Sequence, residues 1–155
     1  MEQLKLDFIT TQFPKLIKEA AHNTTSKWGK MNLQQMIEHT TDFFKVSTGK
    51  IQLPLVTPVE HLSKYREFLL SDKEFKENTK APANVLPDEP LPIRNESMAI
   101  AISKLEKQIN DFVVYFKENE GGKTTHPVFG ELNFEEWVLL HYKHVLHHAK
   151  QFGLV

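Results

Sequence analysis

The 155-residue chain contains no cysteine. That excludes disulfides, thiolate metal sites and a cysteine nucleophile, and leaves imidazole and carboxylate as the available metal ligands. Net charge is nearly absent as well: 19 Lys and Arg stand against 20 Asp and Glu, a formal charge of -1. No large field draws such a chain to nucleic acid or to an anionic membrane, so neither is an expected partner. Long apolar runs are missing, and nothing approaches the roughly 18 residues needed to span a bilayer. The charged start MEQLKLDFITTQFPK lacks the apolar core of a signal peptide, so a cytoplasmic location is expected. Strand-like alternation of apolar and polar residues is lacking too.

What remains is a chain with 40% hydrophobic and 25% charged residues. This fits one domain over 1–155 with a buried core and a mixed surface. Four helical patterns organise it. In the first, to about Ala21, Leu4, Phe8, Leu16 and Ile17 stand among polar residues and Pro14 interrupts the run. In the second, about 32 to 47, Leu33, Met36, Ile37, Thr40, Phe43 and Phe44 keep helical spacing behind Asn32 and Gln35, a capping-box pair.

A connector with Pro54 and Pro58 follows, then a short helical stretch from Val59 to about Leu70, then an irregular run containing Pro82, Pro87, Pro90 and Pro92. A loop that long inside a compact domain is usually functional or disordered, so it reads either as a lid or as a surface crossover. The longest helix is expected from Glu96 to about Asn119, stopped by Gly121 and Gly122. A last helix, about 134 to 150, begins behind a second capping-box pair, Asn133 and Glu136. Together these predict an all-α fold, a four-helix bundle with a long Pro-rich crossover connection.

The last helix carries HYKHVLHHAK, four of the chain's eight histidines. At about 100° per residue, Trp137, His141, His144 and His148 fall within about a 60° sector beside the apolar stripe, while His147 lies round toward the flank and reads as incidental. His144 and His148 are one turn apart, a spacing at which two imidazoles can meet one metal ion. Chance supplies about 0.4 such pairs in this composition, so the spacing needs a third ligand before it carries weight. His39 supplies it, bordering the buried stripe of the second helix beside Met36 and Phe43; His22 and His61 have no such setting and are expected on the surface. Val145 occupies the position where a zincin-type HExxH motif has its glutamate, so that general base is absent.

The two blocks WGKMNLQQMIEHT and HPVFGELNFEEWVLLHYKHVLHHAKQFGL make the sequence similar to the DinB-like superfamily, in a branch ending HPxFG, W, HxxHH and QFG. The resemblance implies a small four-helix bundle holding a divalent metal. One ligand comes from the second helix and two from an HxxxH pair that precedes a Gln. Those positions are His39, His144 and His148, with Gln151 after them. Three imidazoles leave an open coordination position, and zinc or nickel suits them best. His141, His126, Trp137 and Gln151 are candidates for the surroundings of the ion or for the pocket; helix packing and a tight turn are the competing readings for His141, Trp137 and the His126 loop.

By that resemblance the expected function is metal-dependent transfer of a low-molecular-weight thiol to an electrophilic small molecule. A metal-dependent hydrolase and a non-catalytic metal-binding stress-response module, homodimeric through a bundle face, are the alternatives. Metal affinity is expected to fall below about pH 6, where free imidazole protonates.

Overall fold

The computed structural model describes residues 2–155 and is mostly helical, with one small two-stranded sheet. At the N-terminus α1 (Glu2–Asp7) runs through a π-helical turn (Phe8–Gln12) into α2 (Phe13–Glu19) without leaving helical geometry. The cause is Pro14, which has no N–H and whose ring crowds the carbonyl of the preceding turn; the ladder widens ahead of it, and the Phe13 N–H reaches back to Phe8 O. The extra residue turns the apolar face. Ile9, Phe13, Pro14 and Ile17 are the buried side chains, whereas Leu4, an apolar position of the first helical pattern, is 70% exposed.

Helix α3 (Leu33–Ser47) and helix α6 (Phe134–Gln151) both start in complete capping boxes. Asn32 Oδ1 accepts from Gln35 N at 2.8 Å and Gln35 Oε1 accepts from Asn32 N at 2.9 Å. Asn133 and Glu136 exchange the same pair of bonds at 2.9 and 3.3 Å. These reciprocal bonds satisfy N–H groups that a helix start otherwise leaves open, and they fix the phase of the two helices carrying His39, His144 and His148. Between them come a 3₁₀ turn (Val59–His61), α4 (Leu62–Leu70) and the long α5 (Met98–Glu118).

α5 packs along α3, and α6 sits centrally, touching α1, α2, α3 and α4. Twelve of the eighteen residues of α6 are buried, so it has more than one covered face. Two three-residue strands, β1 (Thr124–His126) and β2 (Gly130–Leu132), pair antiparallel with His126 opposite Gly130 and lead into α6. They are too short to show alternation, so no periodicity marks them in the sequence. Among the described residues no helix is long and apolar enough to cross a membrane.

The Pro-rich connection is fastened at both ends. Lys143 of α6, 6% exposed, donates through Nζ to the carbonyls of Ser71 and Lys73 and lies 4.8 Å from the Phe68 ring centroid. At the far end Glu38 of α3 accepts from Arg94 N at 2.8 Å and Asn95 N at 3.1 Å, and the Arg94 guanidinium grips Asp42 through two nitrogens. The connection therefore bridges the two helices that supply the three histidines.

Candidate metal centre

His39 on α3 and His144 and His148 on α6 converge on one point. His144 Nε2 lies 3.0 Å from His39 Nε2 and 3.0 Å from His148 Nε2, and the three ligand atoms lie within 4.8 Å of one another. Three imidazole nitrogens each about 2.1 Å from a tetrahedral ion would lie about 3.4 Å apart, so the spacing is close to what coordination requires.

The proton inventory points the same way. Gln151 Nε2 donates to Trp28 O at 3.0 Å, which leaves Gln151 Oε1 facing His148 Nδ1 at 2.7 Å. An amide oxygen only accepts, so Nδ1 carries the His148 proton and Nε2 presents a lone pair to the other two rings. One proton on His144 Nε2 could serve only one of its two neighbours, whereas a cation among the three satisfies every lone pair. The donor set thus fits a divalent metal ion, and the three histidines lie close enough to hold one.

Burial keeps the ligands neutral. Loss of solvent is the main cause that brings His39 down to about 4, with the charge of Asp42 opposing it. The same cause, reinforced by the neighbouring imidazoles, holds His144 and His148 well below the ordinary histidine value. Phe43 stacks on His144 with centroids 4.2 Å apart, which fixes that ring's plane.

The triad is reached from a cleft of about 1560 Å³. Its walls are largely apolar, with Trp28, Phe43, Phe68, Phe75 and Phe129 among them, and the Pro-rich connection from Lys73 to Arg94 supplies much of one side. Its acidic residues are already engaged: Glu38 and Asp42 pair with Arg94, Asp88 with Lys30 and Lys80, Glu89 with Lys30, and Glu74 with Lys150.

The other candidate residues separate. Gln151 holds His148. His126 lines the cleft with a side chain only 6% exposed. His141 and Trp137 do not line it. His141 is fully buried, stacked 3.9 Å from the Phe44 centroid and 5.3 Å from that of Trp137, and neither ring nitrogen has a protein partner. Trp137 belongs to the core, its Nε1–H donated to Thr124 Oγ1 at 2.7 Å. His22 and His61 are exposed as expected, although His61 stands on the cleft rim.

His147 differs from its expected role. It is 9% exposed, packs 5.5 Å from Trp28 and 6.0 Å from Phe75, and lines the cleft. Helical phase placed it on a flank, but that flank is covered by the Trp28 loop and the Pro-rich connection, neither of which has a helical period to read.

Fold and site together define a mostly helical protein in which part-buried His39 and buried His144 and His148 converge beside a large, largely apolar cleft, close enough to hold a metal ion. Its family follows from the sequence: residues 2–153 match the model of the family described as "Protein of unknown function (DUF1569)", and the chain belongs to that family. No curated protein and no solved structure matches it.

Proposed function

We propose that the protein is a DinB-like four-helix bundle, built from α1–α2, α3, α5 and α6, and that it is a metal-dependent transferase. It binds one divalent ion, zinc or nickel, through His39, His144 and His148 and attaches a low-molecular-weight thiol to an electrophilic small molecule. The observation that carries this reading is that the triad lines a cleft far larger than a water molecule. A structural site would normally be closed by a fourth protein ligand. The two sequence blocks that resemble the DinB-like superfamily contain all three histidines, and that supports the same reading.

A bound ion would supply Lewis acidity, lowering the pKa of a thiol held beside it. The chain's own residues do the rest. Gln151 keeps the proton of His148 on Nδ1 and so keeps Nε2 bare. Phe43 holds His144 in plane, while Trp28, Phe68 and Phe75 give an electrophile an apolar surface away from bulk water. Hydrolysis is less well supported, because the nearby carboxylates Glu38 and Asp42 are bound to Arg94 and the adjoining backbone and are not free to act as a base.

Elemental analysis of protein purified without a histidine tag, followed by cobalt substitution, tests the proposal. About one ion per chain is expected, with a cobalt spectrum that changes saturably on adding a small thiol. One ion per chain retained by the His144→Ala/His148→Ala double variant would remove the ligand assignment. Cobalt bound with no response to any thiol would leave a metal protein that is not a thiol transferase.

A further inference from the structure

His126 ends β1, and the turn that follows folds back on it. Val128 N donates to His126 Nδ1 at 3.0 Å and Phe129 N donates to the same atom at 3.1 Å. Two backbone N–H groups can only donate, so Nδ1 is a lone pair and the ring proton sits on Nε2. Putting a second proton on Nδ1 would set three donors against one another.

The turn is itself braced from outside. Thr57 Oγ1 donates to Val128 O at 2.7 Å, and Val56 N donates to Pro127 O at 2.8 Å. The ring is wedged between Phe43, Phe129 and Trp137, with centroids 5.3, 5.2 and 5.7 Å away. Burial pushes its pKa down to about 3, in keeping with a neutral ring.

Nε2 is left over. It has no protein partner among the described residues, yet the sealed, unpartnered side-chain nitrogens are those of His141 and His144 Nδ1, not this one. The open side of His126 is therefore the cleft it lines. Phe43, which touches His126, is also the ring stacked on His144, so one aromatic side chain separates the N–H from the triad.

We infer that His126 is a ligand-binding residue: its Nε2–H is a fixed, uncharged donor that takes a carbonyl or carboxylate oxygen of an apolar small molecule held in the cleft. A donor with no acceptor capacity selects a group that offers a lone pair and gains nothing from one that can only donate. The aromatic walls select the body of the molecule. The preset tautomer and braced turn mean that little ordering is needed on binding. The inference rests on the cleft being the substrate site, as proposed above, but not on the presence of the ion.

Histidine-selective ¹⁵N NMR, with benzoate as the probe and toluene as its acceptor-free counterpart, tests it on protein as purified and after chelation. The His126 signals are expected to show the Nε2–H form and to move saturably with benzoate but not with toluene. His126→Leu should weaken benzoate about tenfold, the weight of one net hydrogen bond, in both preparations. His126→Gln, which keeps an N–H near the Nε2 position, should stay within about threefold of the parent. An Nδ1–H tautomer, absence of benzoate binding, or equal affinity in His126→Leu overturns the inference. If His126→Leu does not fold, the tautomer and the benzoate-induced shift in the parent chain decide. Cobalt titration separates the two readings, because failure of the triad to bind cobalt leaves the His126 result standing, and the converse also holds.

Discussion

Gln151 Oε1 lies 2.7 Å from His148 Nδ1 and accepts a hydrogen bond from it, while the same amide's Nε2 donates to the carbonyl of Trp28. One side chain thus ties the loop before α3 to the last turn of α6 and sets the tautomer of a candidate ligand. Removing such an outer partner typically costs metal affinity 10- to 100-fold.

Gln151→Leu is therefore expected to weaken metal binding by about 10- to 100-fold with helical content retained. Gln151→Glu, which still accepts from Nδ1 but cannot donate to Trp28 O, should lose less. Competition with a chelator of known affinity measures both. Equal affinity in the Leu variant would show that Gln151 does not govern His148.

Gly29 lies beside this contact. Its φ of +79° is one that side chains rarely adopt, and a Cβ there would stand 2.8 Å from Gln151 Nε2. Gly29→Ala should destabilise the fold by about 1 kcal/mol or more and push Gln151 off His148. A metal affinity that falls beyond what the loss of stability explains, read by chelator competition in fully folded protein, is the expected signature.

Glu38 anchors the end of the Pro-rich connection while only 4% exposed. Glu38→Ala removes the acceptor for Arg94 N and Asn95 N and should cost about 1–3 kcal/mol. Hydrogen exchange at those two amides should accelerate, and limited proteolysis should cut the connection sooner than in the parent. Unchanged protection at Arg94 and Asn95 would mean that the connection is held elsewhere.

The legible parts of this molecule are those with a period. Leu33 to Phe44, Leu105 to Phe116 and Phe134 to His148 gave helices within a few residues of their ends, and both capping boxes were visible as Asn with Gln or Glu three positions on. The triad was legible because two of its members share a helix face and the third borders another apolar stripe. His147 was not, because its neighbours Trp28 and Phe75 lie on segments without regular structure. The setting of His126 was hidden for a related reason: two backbone N–H groups of a turn define it, and backbone direction leaves no mark in side-chain pattern.

The pH response follows from the lowered pKa values, and its sign is opposite to that of an exposed, ion-paired histidine. A chain that binds fewer protons folded than unfolded gains stability as pH rises. Here His39 is held near 4 and His126 near 3, with His141, His144 and His148 also well below the ordinary value near 6.5. Metal-free protein should have its full stability above about pH 6.5 and lose it as pH falls toward 4, by up to about 1.4 kcal/mol per pH unit for each such histidine. Urea unfolding at pH 7.5 and pH 5 measures this, and equal midpoints would contradict it. Metal binding shifts in step. A free imidazole would lose metal below about pH 6, but folded ligands that stay neutral compete with protons only at lower pH. Zinc retained on dialysis at about pH 5.5 and lost nearer pH 4.5 is the expected outcome; loss at pH 6 from protein that is still folded would show that the three imidazoles protonate as if exposed.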